Sequence, residues 1–167
     1  VKSELGKGST FIVTLKHKIA GEYYYVVEKN ENHILDNGIL KDKHILLAED
    51  NDLNAEIAAT ILERAGLKVE RVMDGVECVN KIMEMPANTY DVILMDIQMP
   101  EMDGYKATRA IRSLKDKAKA RIPIVAMTAN AFEEDKRNAL DAGMDGHIAK
   151  PIDIEDLFVL LTDIMNK

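Results

Sequence analysis

Five polar residues of this chain have the types and positions to do chemistry together: Glu49, Asp50, Asp96, Thr128 and Lys150. Each stands at the end of a short apolar run. Asp96 closes Val92-Ile93-Leu94-Met95, while Glu49 and Asp50 follow Ile45-Leu46-Leu47-Ala48. Thr128 follows Ile124-Val125-Ala126-Met127, and Lys150 follows His147-Ile148-Ala149. A charge at the tip of a buried strand has no packing role. Any one of these residues alone reads as a polar strand cap; four strand ends of one sheet together read as a site. Three carboxylates brought together repel one another, which disfavours their ionised forms. A hard divalent ion relieves that repulsion, and Mg2+ prefers a few carboxylates together with water and phosphate oxygens. Lysine adds a further positive charge and threonine a neutral donor. Carboxylates, Mg2+ (with Mn2+ as the alternative), an ammonium and a hydroxyl are the parts that stabilise a phosphoryl group in transfer. A carboxylate is already ionised near neutral pH. It therefore needs no general base to act as a nucleophile, and its product is an acyl phosphate.

The elements that must position these residues follow from periodicity. From Asp42 onward, strand and helix patterns alternate five times. Leu53, Ile57 and Ile61 stripe a first helix that stops at Gly66, and Val76, Val79, Ile82 and Met83 stripe a second. Ala107, Thr108, Ile111 and Leu114 mark a third. Glu133-Glu134-Asp135 open a fourth, where their charge suits the helix dipole. Leu157, Leu161, Ile164 and Met165 mark the last. Near-continuous apolar strands imply burial on both faces, hence an α/β fold with a doubly wound, five-stranded parallel sheet flanked by five helices. Open sheets of this kind place their sites at the carboxyl ends of the strands. Pro123 is tolerable near the start of its strand.

Composition narrows the setting. The chain has 167 residues, 47% hydrophobic and 31% charged, with a net charge of −7. The acidic balance argues against a nucleic-acid surface, which would show a basic stripe. No apolar run approaches the roughly 20 residues that cross a bilayer, so no membrane contact is expected of this fragment. No secretory leader is visible. The single cysteine, Cys78, excludes an internal disulfide and falls on the apolar side of a helix, as a buried small hydrophobe. A cytoplasmic, reducing location is expected. Residues 1–16 read as two short strands around Gly6-Lys7-Gly8, the remnant of another domain, since two strands alone bury no core. Residues 17–41 read as a linker with one strand at Tyr23-Tyr24-Tyr25-Val26-Val27. The Gly6-Lys7-Gly8-Ser9 phrase lacks the spacing of a phosphate-binding loop, and Asp50-Asn51-Asp52 lacks the glycine and terminal glutamate of a calcium loop.

With these residues in place, the segment 42–167 resembles a receiver (response-regulator) domain of two-component signalling. The resemblance implies the flavodoxin-like strand order 2-1-3-4-5. It implies that Asp96 is the phosphoacceptor for a phosphohistidine of the parent kinase or of a histidine phosphotransfer domain. Asp50 would be the main acidic metal ligand, with Glu49 acting through a metal-bound water and the backbone carbonyl of Gln98 completing the set. Lys150, before a cis peptide bond to Pro151, would contact the phosphoryl oxygens. Thr128 would turn inward to the phosphoryl group as a switch residue. The family's switch aromatic falls on His147, a departure that bears on the switch packing alone. Gln98 and Asn130 are the variable neighbours that tune dephosphorylation.

The opening phrase Gly6-Lys7-Gly8-Ser9-Thr10-Phe11 resembles the last hairpin of a histidine-kinase catalytic domain. Together these imply the C-terminal part of a hybrid sensor histidine kinase, a parent open to anchoring in the inner membrane through upstream segments. The fragment carries no ATP-binding motifs of its own. Homodimer formation stays open. Two other readings compete: an aspartate-nucleophile phosphatase, and an interaction module that ignores phosphorylation. Haloacid-dehalogenase-type phosphatases carry a second aspartate two residues after the nucleophile as acid/base, where this chain has Gln98. A degenerate module would lack Asp96, Asp50 or Lys150, and all three are present.

Overall fold

The structure, a computed structural model, describes residues 2–4, 6–10, 38–129 and 133–166. The strand expected at 23–27, the expected linker as far as residue 37, residues 11–16 and Asn130 lie outside the described residues. The chain divides into two units, Val1–Asn32 and His33–Lys167. In the first, β1 (Lys2–Glu4) and β2 (Gly8–Thr10) pair antiparallel, with Lys2 opposite Thr10. Gly6 and Gly8, at φ 82° and 95°, supply the left-handed backbone that reverses the chain between them.

The second unit alternates β3 (His44–Ala48), α1 (Asp52–Arg64), β4 (Lys68–Val72), α2 (Gly75–Glu84), β5 (Val92–Asp96) and α3 (Gly104–Arg112). It continues with α4 (Lys117–Ala120), β6 (Ile124–Thr128), α5 (Glu133–Ala142), β7 (Gly146–Ala149) and α6 (Ile154–Met165). The sheet order is β4-β3-β5-β6-β7 with every pairing parallel. Counted within this unit, that is the expected 2-1-3-4-5.

Side chains alternate across each strand, and here both faces are covered. Ile45, Leu47, Leu94, Val125 and Met127 pack with Ala55, Ala58, Leu62, Phe158 and Leu161 of α1 and α6. Leu46, Ala48, Ile93, Met95, Ile124 and Ala126 pack with Cys78, Ile82, Ala107, Ile111 and Ala139 of α2, α3 and α5. Every residue of β5 and β6 is buried. Cys78 is buried as expected, and burial pushes its thiol up to about 12.

The helices start where the strands leave them. Asn51, Asp74, Asp103 and Asp153 each accept a backbone N–H as N-cap of α1, α2, α3 and α6, worth about 1 kcal/mol apiece. The cap at Asn51 begins α1 immediately after the Glu49-Asp50 pair. Gly104 lets α3 approach the Asp96 backbone, because a Cβ there would collide with the Asp96 carbonyl oxygen. None of the described helices is long and apolar enough to cross a membrane.

Three features depart from expectation. α4 is an unexpected single turn, capped by Asp116, in the connection from α3 to β6. The β6 strand starts after Pro123, whose carbonyl accepts the Ile93 N–H. The face of α1 is the largest difference. Ala55, Ala58 and Leu62 are buried, whereas Leu53 and Ile57 are 64% and 49% exposed. At about 100° per residue, the two sets lie on opposite sides of the helix. Small alanines let α1 seat close to the sheet at β4, so Leu53 and Ile57 face outward while Ile61 stays partly buried against the core. Val76 and Met83 of the α2 stripe are likewise exposed, whereas Ile82 of the same stripe and Cys78 are buried as expected.

Candidate functional site

The parallel pairing brings the polar strand ends to one edge. The Glu49 N–H donates to Val72 O, which carries β3–β4 pairing one residue past the strand. Asp96 is the last residue of β5 and lies level with Met127, so Thr128 stands one residue further along β6. Thr128 in turn lies opposite Ala149, and the Lys150 N–H donates to Thr128 O at 2.7 Å. Glu49, Asp96 and Thr128 are all buried.

The Lys150 ammonium joins two of the acids. Its Nζ donates to Glu49 Oε2 at 2.5 Å and to Asp96 Oδ2 at 2.6 Å. The peptide from Lys150 to Pro151 is cis. The other Asp96 oxygen, Oδ1, accepts the Gln98 N–H at 3.1 Å. Carboxylate oxygens of Glu49, Asp50 and Asp96 all lie within 4.8 Å of one another. Burial raises the Asp96 carboxyl above the ordinary range, against the opposing pull of Lys150 and the Gln98 N–H. Burial alone would lower Lys150, but its bonds to Asp96 and Glu49 outweigh it and hold the ammonium charged.

The charge balance defines what this arrangement can hold. Three carboxylates against one ammonium leave two negative charges uncompensated, the charge of one divalent cation. The donors are all hard oxygens from few carboxylates, which suits Mg2+ better than a softer, nitrogen- or sulfur-seeking metal.

All four strand ends expected from the sequence converge, and Gln98 arrives through its backbone N–H. His147 lies opposite Ala126 on β7, two residues before the level of Thr128. By strand alternation its side chain shares the Thr128 face of the sheet. It lines a depression of about 380 Å³ with Lys136, Arg137 and Leu140. Two residues went unnoticed in the sequence. Asn54 Nδ2 donates to Glu49 Oε1 at 3.0 Å from the first turn of α1. Arg71, on β4, bonds the Glu49 and Asp50 carbonyl oxygens. Asn54 is recognisable once α1 is known to begin at Asp52, since that puts it one turn from the acids. The signal for Arg71 is weaker, a charge near the end of a strand beside the acidic one.

A doubly wound sheet with three acids, a lysine and a threonine at its carboxyl edge belongs to a known class. Residues 45–162 match the family model described as the response regulator receiver domain, and the chain belongs to that family. Among its relatives is the peroxide stress-activated histidine kinase mak1 of Schizosaccharomyces pombe, 41% identical over 123 residues. Another is the hybrid signal transduction histidine kinase L of Dictyostelium discoideum, 41% identical over 109 residues. The matches take in 73% and 65% of this chain but only 8% and 6% of those proteins. The receiver domain of sensor histidine kinase PA1611 from Pseudomonas aeruginosa, solved with magnesium in its active-site cleft, superposes with a TM-score of 0.68 at 38% identity. That match covers 75% of this chain and 99% of the other. The receiver domain of the histidine kinase CKI1 from Arabidopsis thaliana, complexed with Mg2+ and BeF3-, gives a TM-score of 0.69 at 31% identity. It covers 79% of this chain and 95% of that one.

Proposed function

We propose that this receiver domain accepts a phosphoryl group from a phosphohistidine onto Asp96, as one step of a phosphorelay. The observation that carries the reading is Asp96 itself: a buried carboxylate at a strand tip, held by Lys150 within a surplus of negative charge. An Asp96 oxygen attacks phosphorus, the P–N bond to the donor imidazole breaks, and its electron pair stays with the imidazole, which takes up a proton. Asp50, Asp96 and the Gln98 carbonyl would hold Mg2+, with Glu49 acting through a water. When bound, the ion supplies charge compensation for the phosphoryl oxygens. Lys150 moves its ammonium from Glu49 to those oxygens, and Thr128 donates its hydroxyl to one of them. His147 then repacks on the Thr128 face as the outgoing switch.

The partner reading is a histidine-bearing domain, either of the parent kinase or a separate phosphotransfer domain. Leu53 and Ile57 support it, because they present an apolar surface on α1 directly after the acidic pair. A homodimer through α5 and β7 is the second association this reading carries, since Leu140 is 65% exposed beside His147. By the same reading, residues 1–16 end a kinase catalytic domain, 17–41 link it, and 42–167 form the receiver of a hybrid histidine kinase in the cytoplasm. The β1–β2 hairpin supports the first of these.

Incubation with a small acyl phosphate and Mg2+, followed by intact mass, tests the central step. A single phosphoryl adduct is expected, absent in Asp96→Asn. Sustained turnover of phosphoesters would favour the phosphatase reading instead, and partner binding indifferent to Mg2+ and phosphodonor would favour an inert module.

A further inference from the structure

Arg71 stands on β4 opposite Leu47, in an alternating stretch where a charged residue would ordinarily face water. Its side chain is only 28% exposed. The guanidinium spends every nitrogen on the loop from β3 to α1. Nε donates to Glu49 O at 2.9 Å, Nη2 to Asp50 O at 3.0 Å, and Nη1 to Asp52 Oδ1 at 2.7 Å. In an extended strand, successive carbonyls point in opposite directions. Here two successive carbonyls turn toward one planar group, which fixes the peptide planes on both sides of Asp50. Those planes set the direction in which the Glu49 and Asp50 side chains leave the backbone.

We infer that Arg71 is a positioning residue for the acidic loop: it holds the Glu49–Asp50 backbone in the conformation that presents both carboxylates to a divalent cation beside Asp96. The inference rests on the metal reading proposed above. It competes with a plain electrostatic effect of opposite sign, since a cation near the acids would by itself weaken metal binding. Asp52 separates the two further, because its pairing with Nη1 spends the guanidinium charge outside the acid cluster. A lysine keeps the charge but cannot meet three acceptors in one plane.

The experiment measures the Mg2+ dissociation constant by calorimetry at a temperature where all variants are folded. It compares the wild type with Arg71→Gln, Arg71→Lys, Asp52→Asn and Asp50→Asn. Changes to residues that orient metal ligands typically cost about 10-fold or more in affinity. Arg71→Gln and Arg71→Lys are therefore both expected to weaken binding by roughly 10-fold, and Asp52→Asn to leave it within about twofold, since both carbonyl bonds remain. Equal or tighter binding by Arg71→Gln overturns the inference, as does full rescue by Arg71→Lys. Amide hydrogen exchange without metal gives an independent readout. Faster exchange at residues 49–54 in Arg71→Gln, with the rest of the sheet unchanged, is expected; unchanged exchange overturns the inference. If the wild type binds no Mg2+ and matches Asp50→Asn, the metal reading fails, and exchange alone then decides the role of Arg71.

Discussion

The two ends of the central sheet handle charge in opposite ways. At the amino end, the acids beside the strand starts are matched. Asp91 pairs with Lys43 at 2.8 Å and accepts the His44 N–H. Asp145 pairs with Arg112 and accepts the Ile124 N–H. Arg112 also donates to the carbonyls of Ala120, Ile122 and Gly143, tying α3, α4 and the approach to β7 into one corner. At the carboxyl end, Glu49 and Asp96 share one lysine, and the Asp50 carboxylate is clustered with theirs. Both ends are rich in polar contacts, and a count of hydrogen bonds would not tell them apart. The surplus of charge does. A matched end is architecture, whereas an end with surplus charge is one that could hold a cation.

That contrast can be broken at either end. The largest expected effect is at the amino end. Arg112→Met strands three carbonyls and Asp145, and should lower unfolding free energy by about 3 kcal/mol in a urea titration. Phosphoryl acceptance should persist at temperatures where the variant is folded. At the carboxyl end, Mg2+ binds only the folded state, so at a hundred times its dissociation constant it should add about 2.7 kcal/mol. Thermal unfolding with and without Mg2+ reads this gain, which Asp50→Asn should abolish. An equal gain in Asp50→Asn would place the cation elsewhere. Asp91→Asn should cost under about 1 kcal/mol, because its pair with Lys43 is half-exposed.

The smallest effect concerns the sign of proton linkage. Hydrogen bonds from Lys81 and then Tyr90 hold the Glu70 carboxyl below its ordinary value. Its stabilisation is present above the unfolded pKa and is lost as pH falls through the folded one. Asp96 runs the other way. Burial raises its folded pKa, so the ionised form weighs against folding, and that cost is relieved as pH falls through the raised value. In metal-free protein, wild-type stability should therefore rise relative to Asp96→Asn as pH falls through the raised Asp96 pKa toward the ordinary aspartate value. A difference that shrinks over that range would reverse the assignment.

The sheet and its polar edge were legible because the strands are short apolar runs closed by a different residue type each time. Ile93-Leu94-Met95-Asp96 leaves little choice of element or of site. Helix orientation was less legible. In α1, Leu53, Ile57 and Ile61 make as good a stripe as Ala55, Ala58 and Leu62, yet only Ile61 of the bulkier three packs against the core. Only the closeness of helix to sheet selects the alanines. α4 was invisible because one turn is too short to show a period. Arg71 was hidden for a related reason: in Lys68-Val69-Glu70-Arg71-Val72 a charged residue reads as the solvent face. Its three acceptors come from a loop 19 to 22 residues away in sequence.

The most direct test of the account is to locate the phosphoryl group after transfer from a phosphohistidine-bearing domain. Mass spectrometry of the peptide that contains Asp96 reads the outcome, with Mg2+ present or removed by chelation. The account predicts one phosphoryl group on Asp96, formed with Mg2+ and lost on chelation. A phosphoryl group on any other residue, or transfer that proceeds equally without the cation, would contradict it.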